Sequence, residues 1–367
     1  DPDYFYRNNG DGTFTNIIKN SVPHTTWFSM GADFGDLDGD GLNDFLIADM
    51  SGTNHYKQKT AMGAMSDKVE FLSTAEPRQY MRNALYMNTG TDRFREAAYI
   101  AGLGDTDWTW TVKLADFDND MRLDVFFTNG MSKNFNESDS KLALDMRIGE
   151  TQWDRHVRAG TKPLKEQNLC YRNLGGLDFE DVSKAWGLDH VGMSLAALHS
   201  DLDGDGDLDL VVANIDEPVS VYRNESAAGR VVVSLVGSMS HRNGFGAVIT
   251  LDAGGSVQHR EISSVRGYLA AHEPAAHFGT GTAKVVNSLQ VRWPSGHVQR
   301  FEELSPNTHY TVTEPGGPPV DQPSLQRTAP ASPLFDQQNL LARGRNNDVP
   351  IRHDENVFDD FQFQPLL

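Results

Sequence analysis

Asp36-Leu37-Asp38-Gly39-Asp40-Gly41-Leu42-Asn43-Asp44 decides the fold, because it returns twice. The second copy is Asp116-Phe117-Asp118-Asn119-Asp120-Met121-Arg122-Leu123-Asp124, and the third is Asp201-Leu202-Asp203-Gly204-Asp205-Gly206-Asp207-Leu208-Asp209. Each copy places carboxylates at loop positions 1, 3, 5 and 9: Asp36, Asp38, Asp40 and Asp44; Asp116, Asp118, Asp120 and Asp124; Asp201, Asp203, Asp205 and Asp209. Carboxylates at alternate positions of a tight loop converge on one point and repel unless a cation lies between them. A hard divalent cation with six to eight oxygen ligands suits such a loop, and Ca2+ fits best, in about three sites. The carbonyl at position 7 (Leu42, Arg122, Asp207) offers a further oxygen. Gly41 and Gly206 at position 6 permit the positive φ of a sharp turn, whereas Met121 must accept strain there.

These loops are not EF-hands, which need a glutamate at position 12 and flanking helices. Position 12 is Ile47, Phe127 and Val212, and each loop runs into a strand: Phe45-Leu46-Ile47-Ala48, Val125-Phe126-Phe127-Thr128 and Leu210-Val211-Val212-Ala213. Each is therefore expected to be a calcium-binding β-hairpin. An Asp-rich turn without metal accounts for one copy far more easily than for three in register.

A second motif recurs with the first. Tyr6-Arg7-Asn8-Asn9-Gly10, Tyr86-Met87-Asn88-Thr89-Gly90 and Tyr171-Arg172-Asn173-Leu174-Gly175 are each followed by an aromatic, at Phe14, Phe94 and Phe179, and Tyr222-Arg223-Asn224 adds a fourth start. A strand, a tight Asn/Gly turn and a returning strand explain this pattern. One unit is then about four strands with an ion in one connection, and radial stacking of such units makes a β-propeller. Tyrosine spacings of 80, 85 and 51 imply insertions in the first two units. They fall at 51–83 and 131–168, where the strand pattern is lost; Ala61–Met65 and Lys141–Met146 read as helical or irregular, and a partner surface or simple caps on the blade edges would both suit such loops.

The Asp loops and Tyr-x-Asn turns together resemble the FG-GAP or VCBS repeats of integrin-α-type propellers, over residues 1–226. The resemblance implies an all-β calcium-binding propeller, with the ion in a hairpin between two strands of a blade. It lands on the aspartates already named. Only three full repeats are present, so either the chain is a piece of a longer protein or other strands complete the ring.

Residues 227–314 change character. Strands read at Val231–Leu235, Ala247–Leu251, Ser288–Trp293 and Tyr310–Thr313. Between them stand Arg242-Asn243-Gly244-Phe245-Gly246-Ala247, Arg266-Gly267-Tyr268-Leu269, His277-Phe278-Gly279-Thr280-Gly281 and Trp293-Pro294-Ser295-Gly296. In that order they resemble the ASPIC/UnbV domain, a small β-rich module found after such repeats in the cartilage-acidic-protein-1-like family. The resemblance implies a secreted protein and adds architecture more than mechanism. His272-Glu273-Pro274-Ala275-Ala276-His277 is not a zinc helix, because its histidines are five apart and Pro274 breaks the face. Structural roles are expected for both histidines. Arg242, Arg266 and Arg292 read as scattered surface arginines more readily than as an anion pocket.

Residues 315–345 are a proline-rich linker, and 346–367 resemble the start of a further repeat segment, so an internal piece of a longer protein is expected. The net charge of −19 argues against nucleic acid or anionic lipid as a partner, and three bound ions would bring it to about −13. There is no apolar run of 18 residues that would span a membrane. Cys170 stands alone in a strand-like run and is expected to be buried and inert. Sequons at Asn136 and Asn224 carry little weight.

Three functions of different classes follow. The first is an extracellular or cell-surface scaffold, with the periplasm also compatible, that is calcium-stabilised, non-enzymatic and binds proteins or glycans, with Trp108, Trp110 and Trp153 as candidate contacts. The second is a structural subunit of a larger surface assembly. The third is a polysaccharide-acting enzyme, for which no local catalytic motif is found and no catalytic residue is assigned.

Overall fold

Short β-rich runs separated by Asn/Gly/Asp turns produce short strands joined by hairpins. In the computed structural model, residues 3–60, 76–134, 160–317 and 325–327 are described, with positions 149, 151 and 154. A hairpin, β1 (Tyr6–Asn8) with β2 (Phe14–Asn16), leads through α1 (Ile18–Ser21) to β3 (His24–Thr26). The first four-stranded blade is β4 (Ala32–Gly35), β5 (Asp44–Ile47), β8 (Ala84–Asn88) and β9 (Phe94–Glu96). Between its halves come β6 (Met50–Ser51), α2 (His55–Thr60) and β7 (Arg78–Tyr80), which pairs in parallel with β3.

The second blade is β10 (Asp107–Ala115), β11 (Asp124–Asn129), β13 (Leu169–Gly175) and β14 (Asp178–Asp181), with β6 added beside β10. β12 (Glu166–Gln167) pairs with β15 (Val191–Gly192). A third sheet is β16 (Ser194–Ser200), β17 (Asp209–Asn214) and β18 (Ser220–Tyr222). The first strands of successive blades, β4, β10 and β16, lie against one another, which gives a propeller arrangement. The Tyr-x-Asn turns keep one register: Asn8 faces Phe14, Asn88 faces Phe94, and Asn173 faces Phe179.

Apolar residues at loop position 2 wedge the blades together. Leu37 sits in a buried cluster with Leu46, Leu85, Leu114, Val125 and Phe127 of the first two blades. Phe117 does the same between the second blade and Ala197, Leu208, Leu210 and Val212 of the third. Burying a side chain of this size contributes about 1.5–3 kcal/mol. Cys170 is buried in the second of these clusters, as expected.

The remaining strands form a sandwich of two sheets. One is β19 (Gly229–Val236), β22 (Ala275–Gly281), β25 (Thr308–Thr313) and β26 (Leu325–Arg327); the other is β20 (Val248–Ala253), β21 (Ser256–Glu261), β23 (Val286–Arg292) and β24 (Val298–Leu304). Alternate residues of both meet in one core, among them Val231, Val233, Ile249, Leu251, Phe278, Leu289, Val291 and Tyr310. The expected linker thus supplies one strand, β26, while 318–324 and 328–345 of it lie outside the described residues, as does 346–367. The expected irregular runs Ala61–Met65 and Lys141–Met146, and the sequon at Asn136, lie outside them too.

The sandwich does not stand apart from the propeller. Ser264–His272 reaches into the inner strands: Gly267 N donates to Ala32 O at 2.8 Å, and Tyr268 N donates to Thr111 Oγ1 at 2.6 Å. Arg266 pairs with the buried carboxylate of Asp33, and Lys113 Nζ donates to Arg266 O. Arg266 is thereby removed from the scattered set; Arg242 and Arg292 remain solvent-exposed. No helix among the described residues is long and apolar enough to cross a membrane.

Trp108 and Trp110 overturn one expectation. They are 6% and 9% exposed and pack with Met50, Met131 and Tyr268, so they do not form a binding surface. The reason is position: β10 is buried along all nine residues, flanked by β6, β11 and the inserted loop. Trp153 lies outside the described residues.

Candidate metal centres

Each Asp loop closes a hairpin between the first and second strand of a sheet: β4 to β5, β10 to β11, and β16 to β17. The position-1 carboxylate organises the turn. Asp36 Oδ1 accepts from Gly39 N at 2.8 Å and Oδ2 from Gly41 N at 3.0 Å; Asp201 repeats this with Gly204 N at 2.8 Å and Gly206 N at 2.9 Å. Asp116 accepts from Asp120 N and Met121 N, both at 2.9 Å. Met121 sits at φ 82° beside Gly41 at 90° and Gly206 at 94°, so the side chain accepts the strained backbone that glycine takes freely.

Carboxylate oxygens from Asp36, Asp38 and Asp40 lie within 4.8 Å of one another, as do those of Asp116, Asp118 and Asp124, and of Asp201, Asp203 and Asp209. Asp44, Asp120, Asp205 and Asp207 stand outside these triples. Leu42, Arg122 and Asp207 donate their backbone N–H to the position-5 carboxylate at 2.9, 3.0 and 3.1 Å, which shapes the turn around position 7. Asp207 Oδ2 accepts from Ser226 N, while its buried Oδ1 has no hydrogen-bond partner among the described residues.

Burial and mutual repulsion act on these groups as a cation site requires. Burial pushes Asp44 up to about 7, with Asp38 and Asp40 adding to it. Burial likewise lifts Asp116 to about 7, with Asp120 and Asp118 behind it, and Asp124 well above the usual carboxylate range. Burial and Asp205 lift Asp207 to about 7. All-oxygen donor sets held in the charged form only at a cost fit a hard divalent ion.

The loops differ in their counter-charge. In the second, Arg172 Nε lies 2.6 Å from Asp118 Oδ2 and its Nη2 3.0 Å from Asp120 Oδ2, and Arg122 also pairs with Asp120. In the third, Arg223 pairs with Asp203 at 2.8 Å and Arg230 with Asp205 at 3.5 Å. In the first, Met87 occupies the place of Arg172 and Arg223.

The asparagine of each Tyr-x-Asn turn is a functional residue that sequence reading placed only as a turn former. Position 9 receives its backbone N–H: Asn88 N to Asp44 Oδ1 at 2.8 Å, Asn173 N to Asp124 Oδ1 at 3.0 Å, and Asn224 N to Asp209 Oδ1 at 2.8 Å. The side-chain amide then bridges blades. Asn173 Nδ2 donates to Leu123 O at 3.0 Å in its own loop and to Leu37 O at 2.9 Å in the preceding one. Asn224 Nδ2 donates to Leu208 O at 3.1 Å and to Phe117 O at 2.7 Å. The sequon at Asn224 therefore falls on an amide already used in packing. No fixed spacing signalled it, because Asn88, Asn173 and Asn224 stand 44, 49 and 15 residues after the aspartates they bind.

His272 and His277 hold structural places. His277 Nε2 is 2.8 Å from Glu273 Oε1, and His272 Nε2 is 3.0 Å from Lys113 Nζ.

Residues 237–319 match the family model described as ASPIC and UnbV, and residues 1–47 and 68–127 match that of the FG-GAP-like repeat. The chain carries FG-GAP-like repeats followed by an ASPIC and UnbV domain. It is 26% identical to cartilage acidic protein 1 of Mus musculus over 340 residues, which cover 90% of this chain and 43% of the relative. Cartilage acidic protein 1 of Homo sapiens is also 26% identical, over 306 residues, with 80% and 37% covered. The Xenopus tropicalis protein of that name is 26% identical over 312 residues, with 81% and 38% covered. The chain thus spans about two fifths of the length of these relatives. The four motifs that carried the resemblance, from Arg242 to Gly296, all lie inside the ASPIC and UnbV match.

Proposed function

We propose that the protein is an extracellular scaffold whose propeller is braced by calcium, and that it binds protein or glycan partners without catalysing a reaction. The observation that carries this is the threefold recurrence of one hairpin geometry, with converging aspartate oxygens at Asp36, Asp116 and Asp201 and their neighbours. Calcium would be held by loop positions 1, 3, 5 and 9 with the carbonyl at position 7, and its role is to neutralise carboxylates that otherwise repel across the blade junctions. Placement outside the cell, in a matrix-type role, is supported by the similarity to proteins named for cartilage and by the acidic surface.

The test is calcium titration of the intact chain, followed by retention of partners. About three ions are expected to bind. Asp36→Ala, Asp116→Ala and Asp201→Ala are each expected to remove about one of them, chelation to lower Tm, and magnesium to restore it much less than calcium does. An unchanged ion count in all three variants would remove the site assignment. A pull-down from extracellular material, with calcium and with chelator, then tests the scaffold role: a reproducible protein or glycan partner supports it. Turnover of a polysaccharide by the purified chain would replace it with the enzymatic reading.

One observation favours the assembly reading beside it. The β1–β2 hairpin exposes Tyr6 and Phe14, and Tyr4 stacks on Tyr6 with ring centroids 5.8 Å apart. A row of exposed aromatics at the end of a blade array suits another protein surface better than water.

A further inference from the structure

The turns of the three hairpins are not free. The ASPIC and UnbV sandwich is seated on all of them, through a different element each time. On the first, Asn43 Nδ2 donates to Glu261 Oε2 at 3.2 Å, and the His259 ring lies so close that a Cβ at Gly41 would stand 3.2 Å from its Nε2. Both partners belong to β21. On the second, Gly279 N donates to Asp116 Oδ2 at 3.1 Å, and Gly281 N to Asn119 O at 3.0 Å, both from β22. On the third, Asp201 N donates to Glu273 Oε1 at 3.1 Å, and Arg230 Nε of β19 donates to Asp205 O at 2.7 Å.

On the second and third loops these contacts engage the backbone and a carboxylate of the converging set, and on the first the Asn43 side chain. The seat therefore exists only while each loop keeps its closed shape. That shape gathers like charges, most deeply at Asp116 and Asp124, and a cation at its centre would make it favourable. We propose that filling of the three hairpins by calcium and docking of the sandwich are one coupled equilibrium, with the sandwich acting as a lid that seats on loaded loops and loosens from empty ones. This rests on the calcium reading above and adds to it a consequence for the second module. Loosening need not unfold the sandwich, which has its own core from Val231 to Val312 and stays threaded by Ser264–His272 into β4 and β10.

Gly279 is where the coupling is most exposed. A Cβ there would lie 2.2 Å from Asp116 Oδ2 and 2.5 Å from the Asn119 carbonyl carbon, too close for any side chain. Gly279→Ala thus pushes β22 away from the second loop, where the Asp116 carboxylate is the first group it meets, and leaves every loop residue itself unaltered. Coupling between two binding events is reciprocal, so what lifts the lid must weaken the ion.

The experiment is hydrogen exchange of the full chain, with calcium and with chelator, combined with calcium titration of the wild type, Gly279→Ala and Glu273→Gln. Chelation is expected to raise exchange at Gly279 and Gly281, whose N–H groups donate to the second loop, while the threaded segment 264–272 and the strands Val231–Val233 and Leu289–Val291 stay protected. Gly279→Ala is expected to weaken one of the ions by roughly tenfold and leave the others as they are, and Glu273→Gln to weaken a different one by less. Glu273→Gln keeps the hydrogen-bonding shape, so it serves if Gly279→Ala misfolds. Wild-type calcium affinity in both variants, or unchanged exchange at Gly279 and Gly281 on chelation, overturns the coupling while leaving the calcium sites standing. A wild-type chain that binds no calcium overturns both.

Discussion

Asp116 occupies the most demanding place in the three hairpins: it is 3% exposed, tied to Met121 N and Gly279 N, and beside two further carboxylates. Its carboxyl in the metal-free protein is lifted to about 7 by burial, as is that of Asp44. A folded-state value above the ordinary carboxylate range means that the folded form holds protons more tightly than the unfolded chain. The contribution to stability is then full below about pH 4 and is lost as the pH rises to about 7. Metal-free protein is accordingly expected to melt at lower temperature at about pH 7.5 than at about pH 5, whereas calcium-loaded protein, which needs the ionised form, reverses that trend. Thermal melts across this window check it, and a metal-free Tm that rises with pH contradicts it. A second prediction concerns Asn173, fully buried and donating to two carbonyls of different blades. Asn173→Ala leaves both acceptors unsatisfied and is expected to cost about 2–4 kcal/mol in urea unfolding. A loss below about 0.5 kcal/mol, the range of neutral surface substitutions, would show that the bridge is dispensable.

The inserted segment Ser264–His272 links the two modules more firmly than a linker would. Arg266 is mostly buried against Asp33, which is itself fully enclosed and accepts from Leu114 N at 2.8 Å. Removing one partner of a buried pair strands the other charge. Arg266→Met is therefore expected to cost about 3–5 kcal/mol, and the double variant with Asp33→Asn appreciably less than the two single costs added together. Equilibrium unfolding of the four proteins checks it, and strict additivity contradicts it. This segment also marks the limit of what the sequence revealed. The hairpins, the repeated turns and the second module were legible because their residues are local and recur at fixed spacing. Arg266 and Tyr268 were visible only as a motif, because the strands they enter lie more than 150 residues earlier. Trp108 and Trp110 were misread for the same reason. Aromatics in a polar stretch suggest a binding face, and only the packing of β6, β11 and Tyr268 around β10 shows them to be core. The three Asp loops were readable as hairpins down to single residues, while the seating of the sandwich on them, through β19, β21 and β22, was not.

At the scale of the whole molecule, the acidic charge sets what the proposed ions would do. The chain carries −19, and thirteen of its aspartates stand in the three loops that the sandwich touches. Without calcium, self-repulsion is spread over the blade junctions and the seat of the sandwich. Raising ionic strength with monovalent salt is expected to restore part of the stability lost on chelation, but less than stoichiometric calcium does, because buried groups are screened weakly. Tm against salt for metal-free and loaded protein measures both slopes. Equal slopes would mean that the loops contribute little to the charge balance.

The asparagine bridge has a consequence for how such a molecule grows. Two of the repeats carry, in their own turns, the donor that grips the loop of the repeat before: Asn173 reaches Leu37, and Asn224 reaches Phe117. The acceptor is a backbone carbonyl, which every residue supplies. A duplicated unit therefore arrives with its own fastening and asks nothing of its neighbour's side chains. Arrays of this kind can gain or lose a repeat in one genetic step, with the bond between neighbours remade each time.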